Sequence, residues 1–147
     1  MKAWYFLLVL SALFACSPAE KPGNTLQLEA LRGQWVVINY WAIWCKPCIQ
    51  EIPELNKLAE LPQVTVLGVN YDGISGEELD QQLQKLGVAF PTLSTDPAAQ
   101  LGVPRPVVLP TSLVLDPQGK LRQTLIGPQT LETLATATIQ GKASENK

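Results

Sequence analysis

Two apolar periods alternate along the chain from Thr25 onward. WVVINYW (35–41) is a continuous β-prone run, the pattern of a strand buried on both faces. Behind it, Ile49, Ile52, Leu55, Leu58 and Leu61 recur at every third position and predict one face of a helix. Pro53 falls inside that helix and is expected to kink it or remove one hydrogen bond. VTVLGVNYD (64–72) predicts a second buried strand, and Ser75 is placed to cap a helix through EELDQQLQKL that stops at Gly87. Between Val88 and Pro110 the pattern is irregular. PAAQLGV (97–103) predicts a short helix there, and prolines at 104, 106 and 110 enforce loop structure. TSLVLD (111–116), the turn PQGK and LRQTLIG (121–127) predict an antiparallel hairpin. A last helix is predicted from about Pro128 to Gln140, with its proline in the first turn and Leu131, Leu134 and Ala135 inward.

The order β–α–β–α–(short helix)–β–β–α predicts an α/β fold whose mixed central sheet carries helices on both faces. A chain of 147 residues holds one such domain, placed by the pattern at 25–141 with a polar tail at 142–147.

The N-terminal stretch obeys a different rule. Lys2 precedes AWYFLLVLSALFA, which is shorter than the roughly 20 apolar residues that span a bilayer but matches a signal-peptide core. Leu13, Ala15 and Cys16 resemble a bacterial lipobox, from which Phe14 departs. The expectation is a lipoprotein-type signal peptide over 1–15, a lipidated Cys16, and a tether through SPAEKPGN (17–24). Ordinary secretion, an uncleaved anchor, or an N-terminal element of the fold are the alternatives. Lipidation would hold the domain in the bacterial periplasm at the inner or outer membrane, within about 28 Å of it.

Composition narrows the chemistry. Hydrophobic residues make up 46% and charged residues 16%, with a net charge of −2 and no basic block, so nucleic acid is not an expected partner. The chain has three cysteines and no histidine. A structural zinc site needs about four nitrogen or sulfur ligands, which one chain cannot supply once Cys16 is lipidated. Attachment of c-type haem needs CxxCH, and residue 49 is isoleucine. Copper sites of related fold add a histidine. No metal or cofactor is expected.

Dithiol chemistry remains for Cys45 and Cys48. A structural bridge gains most from closing a long loop, and this one closes almost nothing. Cys45 falls between strand and helix, where unpaired N–H groups and the helix dipole stabilise a thiolate; Lys46 adds positive charge, and Pro47 fits the first turn. Cys45 is thus the expected nucleophile and Cys48 the resolving thiol.

VVINYWAIWCKPC, Glu51 and VLPTSLVLDPQGK together resemble the thioredoxin superfamily, over about residues 25–140. The resemblance is to its TlpA-type branch of membrane-tethered periplasmic thiol–disulfide oxidoreductases, which includes the thioredoxins of cytochrome c maturation. It implies that Glu51, one helical turn beyond Cys48, is buried and moves protons; an exposed helix carboxylate is the alternative. It implies that Pro110 is cis, that Leu109 offers its backbone to an extended substrate, and that Trp44, Lys46 and Pro47 shape the surface around Cys45. Trp41 is expected in the core. Asn39 departs from the buried aspartate of cytoplasmic thioredoxin, and GVPRPVVLP is richer in proline than the branch leads one to expect. The implied function is a monomeric, extracytoplasmic reductase of disulfides in secreted or haem-receiving proteins, recharged by a membrane electron donor. A disulfide-donating oxidant, a thiol peroxidase (which would want TxxC where this chain has AIWC) and a redox-inert adaptor are the alternatives.

Overall fold

Strand β1 (Trp35–Trp41) runs through the interior of a four-stranded sheet, and all seven of its residues are buried. The computed structural model describes residues 28–139; the expected signal segment, Cys16, the tether and the tail lie outside them. β1 pairs in parallel with β2 (Val64–Asn70) and antiparallel with β3 (Thr111–Leu115), which pairs antiparallel with β4 (Leu121–Ile126). The spatial order is β2-β1-β3-β4, the mixed sheet that the pattern predicts. Thr92 adds one parallel bridge beside Gly68, on the free side of β2. The irregular pattern around it gave no sign of that pairing.

Alternation along β1 divides the core. Trp35 and Val37 join Val66 and Val114 against Leu55 and Leu58 of helix α1 (Lys46–Ala59) and Leu134 of helix α3 (Leu131–Ile139). Val36, Ile38 and Tyr40 lie on the other face with Leu67, Val69 and Leu113, under Leu28, Leu31, Leu101 and Val103. Helix α2 (Gly76–Leu86) sets Leu79, Leu83 and Leu86 on the cluster around Trp41. Burying each large apolar side chain contributes about 1.5–3 kcal/mol, so β1, which is apolar on both faces, ties the layers together.

Several expectations are corrected in detail. Residues 97–103 form turns rather than a helix: Leu101 N–H donates to the Pro97 carbonyl (2.9 Å), and Gly102 then enters the left-handed region at φ 67°. Ile49 and Leu61 are partly exposed at 37% each, while Ile52, Leu55 and Leu58 are buried. Three residues advance a helix about 60° short of a full turn, so five such positions sweep about 240° and the ends leave the core. α1 passes through Pro53 unbroken. Ser75 occupies the cap position of α2 without a side-chain cap bond, whereas Gly87 ends that helix at φ 67° as expected. α3 begins at Leu131 rather than Pro128. Thr130 and Thr133 cap it reciprocally, each backbone N–H donating to the other's hydroxyl (3.0 and 3.3 Å).

Candidate active site

The turn between β1 and α1 delivers the cysteine pair. Cys45 N–H donates to the Ala42 carbonyl (3.1 Å), and the Cys45 carbonyl accepts from Ile49 N–H (3.1 Å), opening the helix. Cys45 is the N-cap of α1, Pro47 lies in the first turn, and Cys45 Sγ accepts from Cys48 N–H (3.2 Å). The two cysteines are joined as a disulfide, and both are buried, Cys45 at 4% and Cys48 at 1% exposure. The sulfur of Cys45 therefore receives a helix N–H that has no partner within the helix. That position favours negative charge on Cys45 when the bond opens.

Around Cys45 lies a cleft of about 430 Å³ lined by Trp44, Lys46, Pro47, Tyr71, Val107 and Leu109. Four of these were singled out in the sequence; Tyr71 and Val107 were not. Trp44 stands 63% exposed, and its Nε1 donates to Asp72 Oδ2 (2.9 Å), which fixes the ring at the rim. The Leu109–Pro110 bond is cis. Pro110 is buried, and its carbonyl accepts from Gly127 N–H (2.9 Å), while Thr111 Oγ1 donates to the Val108 carbonyl (2.8 Å). Both bonds hold the loop that carries Leu109 into the cleft. Trp41 is fully buried beneath the pair, in the core as expected.

Behind the cysteines, Glu51 is 1% exposed, on the buried stripe of α1 with Cys48, Ile52 and Leu55. Asn39 Nδ2 donates to Glu51 Oε2 (3.0 Å), and Gln129 N–H donates to Oε1 (3.1 Å). Burial pushes the Glu51 carboxyl up to about 7, and the bonds from Gln129 and Asn39 offset only part of the rise. Asn39 also donates to Ser112 Oγ (3.0 Å), its partner across the β1–β3 register. Asn39 thus holds the carboxylate that titrates in its place. Ser112 and Gln129 carried no sequence signal. Asn39 did, as a departure from the buried aspartate of cytoplasmic thioredoxin, and its side chain faces Glu51 of α1.

Among the described residues, no group of three or more His, Cys, Asp or Glu side chains could hold a metal ion. No helix there is long and apolar enough to cross a membrane.

Known proteins are similar to this chain in sequence and fold. The profile of the AhpC/TSA family matches residues 13–124. The thiol-disulfide oxidoreductase ResA of Bacillus thuringiensis is 33% identical over 116 residues, covering 76% of this chain and 66% of its own. The thiol:disulfide interchange protein DsbE of Allochromatium vinosum is 32% identical over 116 residues, covering 78% and 64%. The chain thus spans just under two thirds of these relatives. A DsbF homologue of Corynebacterium diphtheriae superposes with a TM-score of 0.66 at 29% identity, covering 75% of this chain and 73% of that one. A secreted thiol-disulfide isomerase of Corynebacterium glutamicum superposes at 0.65 with 28% identity, covering 77% and 73%. The family profile covers most of the chain and the superposed structures share its fold, so the chain belongs to the AhpC/TSA family, with a thioredoxin-like fold.

Proposed function

We propose that the protein is an extracytoplasmic thiol–disulfide oxidoreductase that reduces disulfides in secreted or haem-receiving proteins. The observation that carries this reading is the cysteine pair at the N-terminus of α1, open to an apolar cleft in front and backed by a buried carboxyl poised near neutrality. The names of the ResA and DsbE relatives support the reaction class. The resemblance to the TlpA-type branch supports the reducing direction.

In the reduced protein, the Cys45 thiolate attacks one sulfur of a substrate disulfide, forming a mixed disulfide and releasing the first substrate thiolate. Leu109 supports an extended substrate through its backbone, since no hydrogen bond among the described residues occupies its N–H or carbonyl. The Glu51 carboxylate takes the proton of Cys48, which attacks Cys45 Sγ and expels the second substrate thiolate. Two electrons reach the substrate, and the Cys45–Cys48 disulfide remains. The proton held on Glu51 returns to solvent or to the departing thiolate. A membrane electron donor then restores the dithiol. The apolar run behind Lys2 and the lipobox-like LFAC ending at Cys16 support export, lipidation and tethering to the periplasmic side of a membrane.

The division of labour is tested by trapping. Cys48→Ser, mixed with a peptide disulfide, is expected to accumulate a mixed disulfide on Cys45 visible by mass spectrometry, while Cys45→Ser accumulates none. Trapping on Cys48 in the Cys45→Ser protein, and none in the other, would reverse the roles.

A further inference from the structure

The proline-rich arm 103–108 contains no helix or strand, yet one side chain ties it to two residues of other loops. Arg105 Nε donates to Asp96 Oδ2 (2.8 Å), and its other nitrogen, Nη2, donates to the Tyr71 carbonyl (2.5 Å). The guanidinium lies 3.9 Å from the centre of the Tyr71 ring, within cation–π range. Asp96 is itself anchored, because Oδ1 accepts from the hydroxyl of Tyr40 in β1 (2.7 Å) and from Ala98 N–H (2.9 Å). Burial alone would raise the Asp96 carboxyl. The bonds from Tyr40, Ala98 and Arg105 outweigh it and hold the group below its ordinary value, so it stays charged opposite Arg105.

These contacts meet the cleft. Tyr71, under the guanidinium, and Val107, two residues beyond Arg105, both line the space around Cys45. Val107 is 89% exposed. Arg105, the charge nearest to it in sequence, is turned onto Asp96 and Tyr71. Val107 therefore adds an apolar side chain to a cleft whose one charged lining residue is Lys46.

We infer that Arg105 is a positioning residue for polypeptide substrates: it latches the proline-rich arm across Tyr71, so that Val107 forms an apolar wall continuous with the Cys45 cleft. The occupant is an extended polypeptide with an apolar side chain beside its oxidised cysteine. A small disulfide has no side chain to set against the wall. The inference rests on the oxidoreductase reading above and adds to it the apolar side chain that a substrate carries beside its cysteine.

The test compares two disulfides on the purified full chain: bis(2-hydroxyethyl) disulfide, and a peptide disulfide with leucine next to each cysteine. Freeing the arm lowers the fraction of protein in the binding form. Arg105→Ala is therefore expected to raise KM for the peptide on the order of tenfold, with kcat and small-disulfide turnover within about twofold of wild type. If Arg105→Ala folds poorly, Arg105→Lys keeps the charge but loses the paired contacts to Asp96 and the Tyr71 carbonyl, and is expected to give the same selective rise in peptide KM. Unchanged peptide KM in both variants, or equal slowing of both substrates, overturns the latch while leaving the oxidoreductase reading intact. A wild-type protein that reduces neither disulfide overturns that reading and the latch with it.

Discussion

Replacing Glu51 by glutamine tests whether the buried carboxyl titrates where its surroundings place it. In the folded protein the group is pushed from the ordinary 4.5 up to about 7, chiefly because burial penalises its charged form. Between those two values the folded state holds a proton that the unfolded chain has already released. Stability therefore falls as pH rises through this window, and the full loss is present above the folded value. At about 1.36 kcal/mol per pH unit, the gap amounts to about 3 kcal/mol. Glutamine cannot titrate, so Glu51→Gln removes this slope. The variant also disturbs the bond from Asn39 Nδ2, but that cost is the same at every pH. Asp96 and Glu54 are both held below their ordinary values, so their contributions are lost only as pH falls below the window. Urea unfolding of the oxidised full chain, followed by tryptophan fluorescence from pH 4.5 to 8, gives the two curves. Wild type should lose about 3 kcal/mol relative to the variant over the range. Parallel curves would refute the reasoning, because the carboxyl would then titrate alike in the folded and unfolded protein.

Other perturbations reach other parts of the account. Turnover of a peptide disulfide by Glu51→Gln should fall by about 10²-fold, the usual size of a lost general base, and steady-state kinetics will show it. Gly68→Ala places a Cβ 2.8 Å from Thr92 Oγ1 and 2.9 Å from Trp41 Nε1; it should cost about 1–3 kcal/mol in urea unfolding. Leu134→Ala empties a fully buried position between α3 and the sheet, with an expected loss of about 2–5 kcal/mol in the same assay. Trp44→Ala, at an exposed rim position, should change stability by less than about 0.5 kcal/mol while slowing peptide-disulfide reduction.

The fold was legible wherever burial is continuous along the chain. WVVINYW could only be an interior strand, and the hairpin after Pro110 announced itself through its turn: Asp116 Oδ1 accepts from Gln118 N–H (3.0 Å) and Lys120 N–H (2.8 Å), and Gly119 sits at φ 76°. The placement of Cys48 and Glu51 on one side of α1 was legible because helical spacing sets Glu51 a turn beyond Cys48. Pro110 could be distinguished from Pro106 only through resemblance, since local sequence does not determine which proline is cis. What could not be read depends on contacts distant in sequence. Asn39 reaches Glu51 and Ser112 across three elements. Arg105 gathers Asp96 and Tyr71 from separate loops. Ile49 failed for a local reason, because a three-residue spacing drifts off the helix face.

The central claim concerns electron flow through one cysteine pair, and thiol trapping in the native cell tests it most directly. Acid quenching followed by mass-tag alkylation scores Cys45 and Cys48 as free or bonded. The account predicts a mostly reduced pair, kept so by supplied electrons although the compartment is oxidising. A mostly oxidised pair that becomes reduced only when its re-oxidant is removed would contradict it and make the protein a disulfide donor.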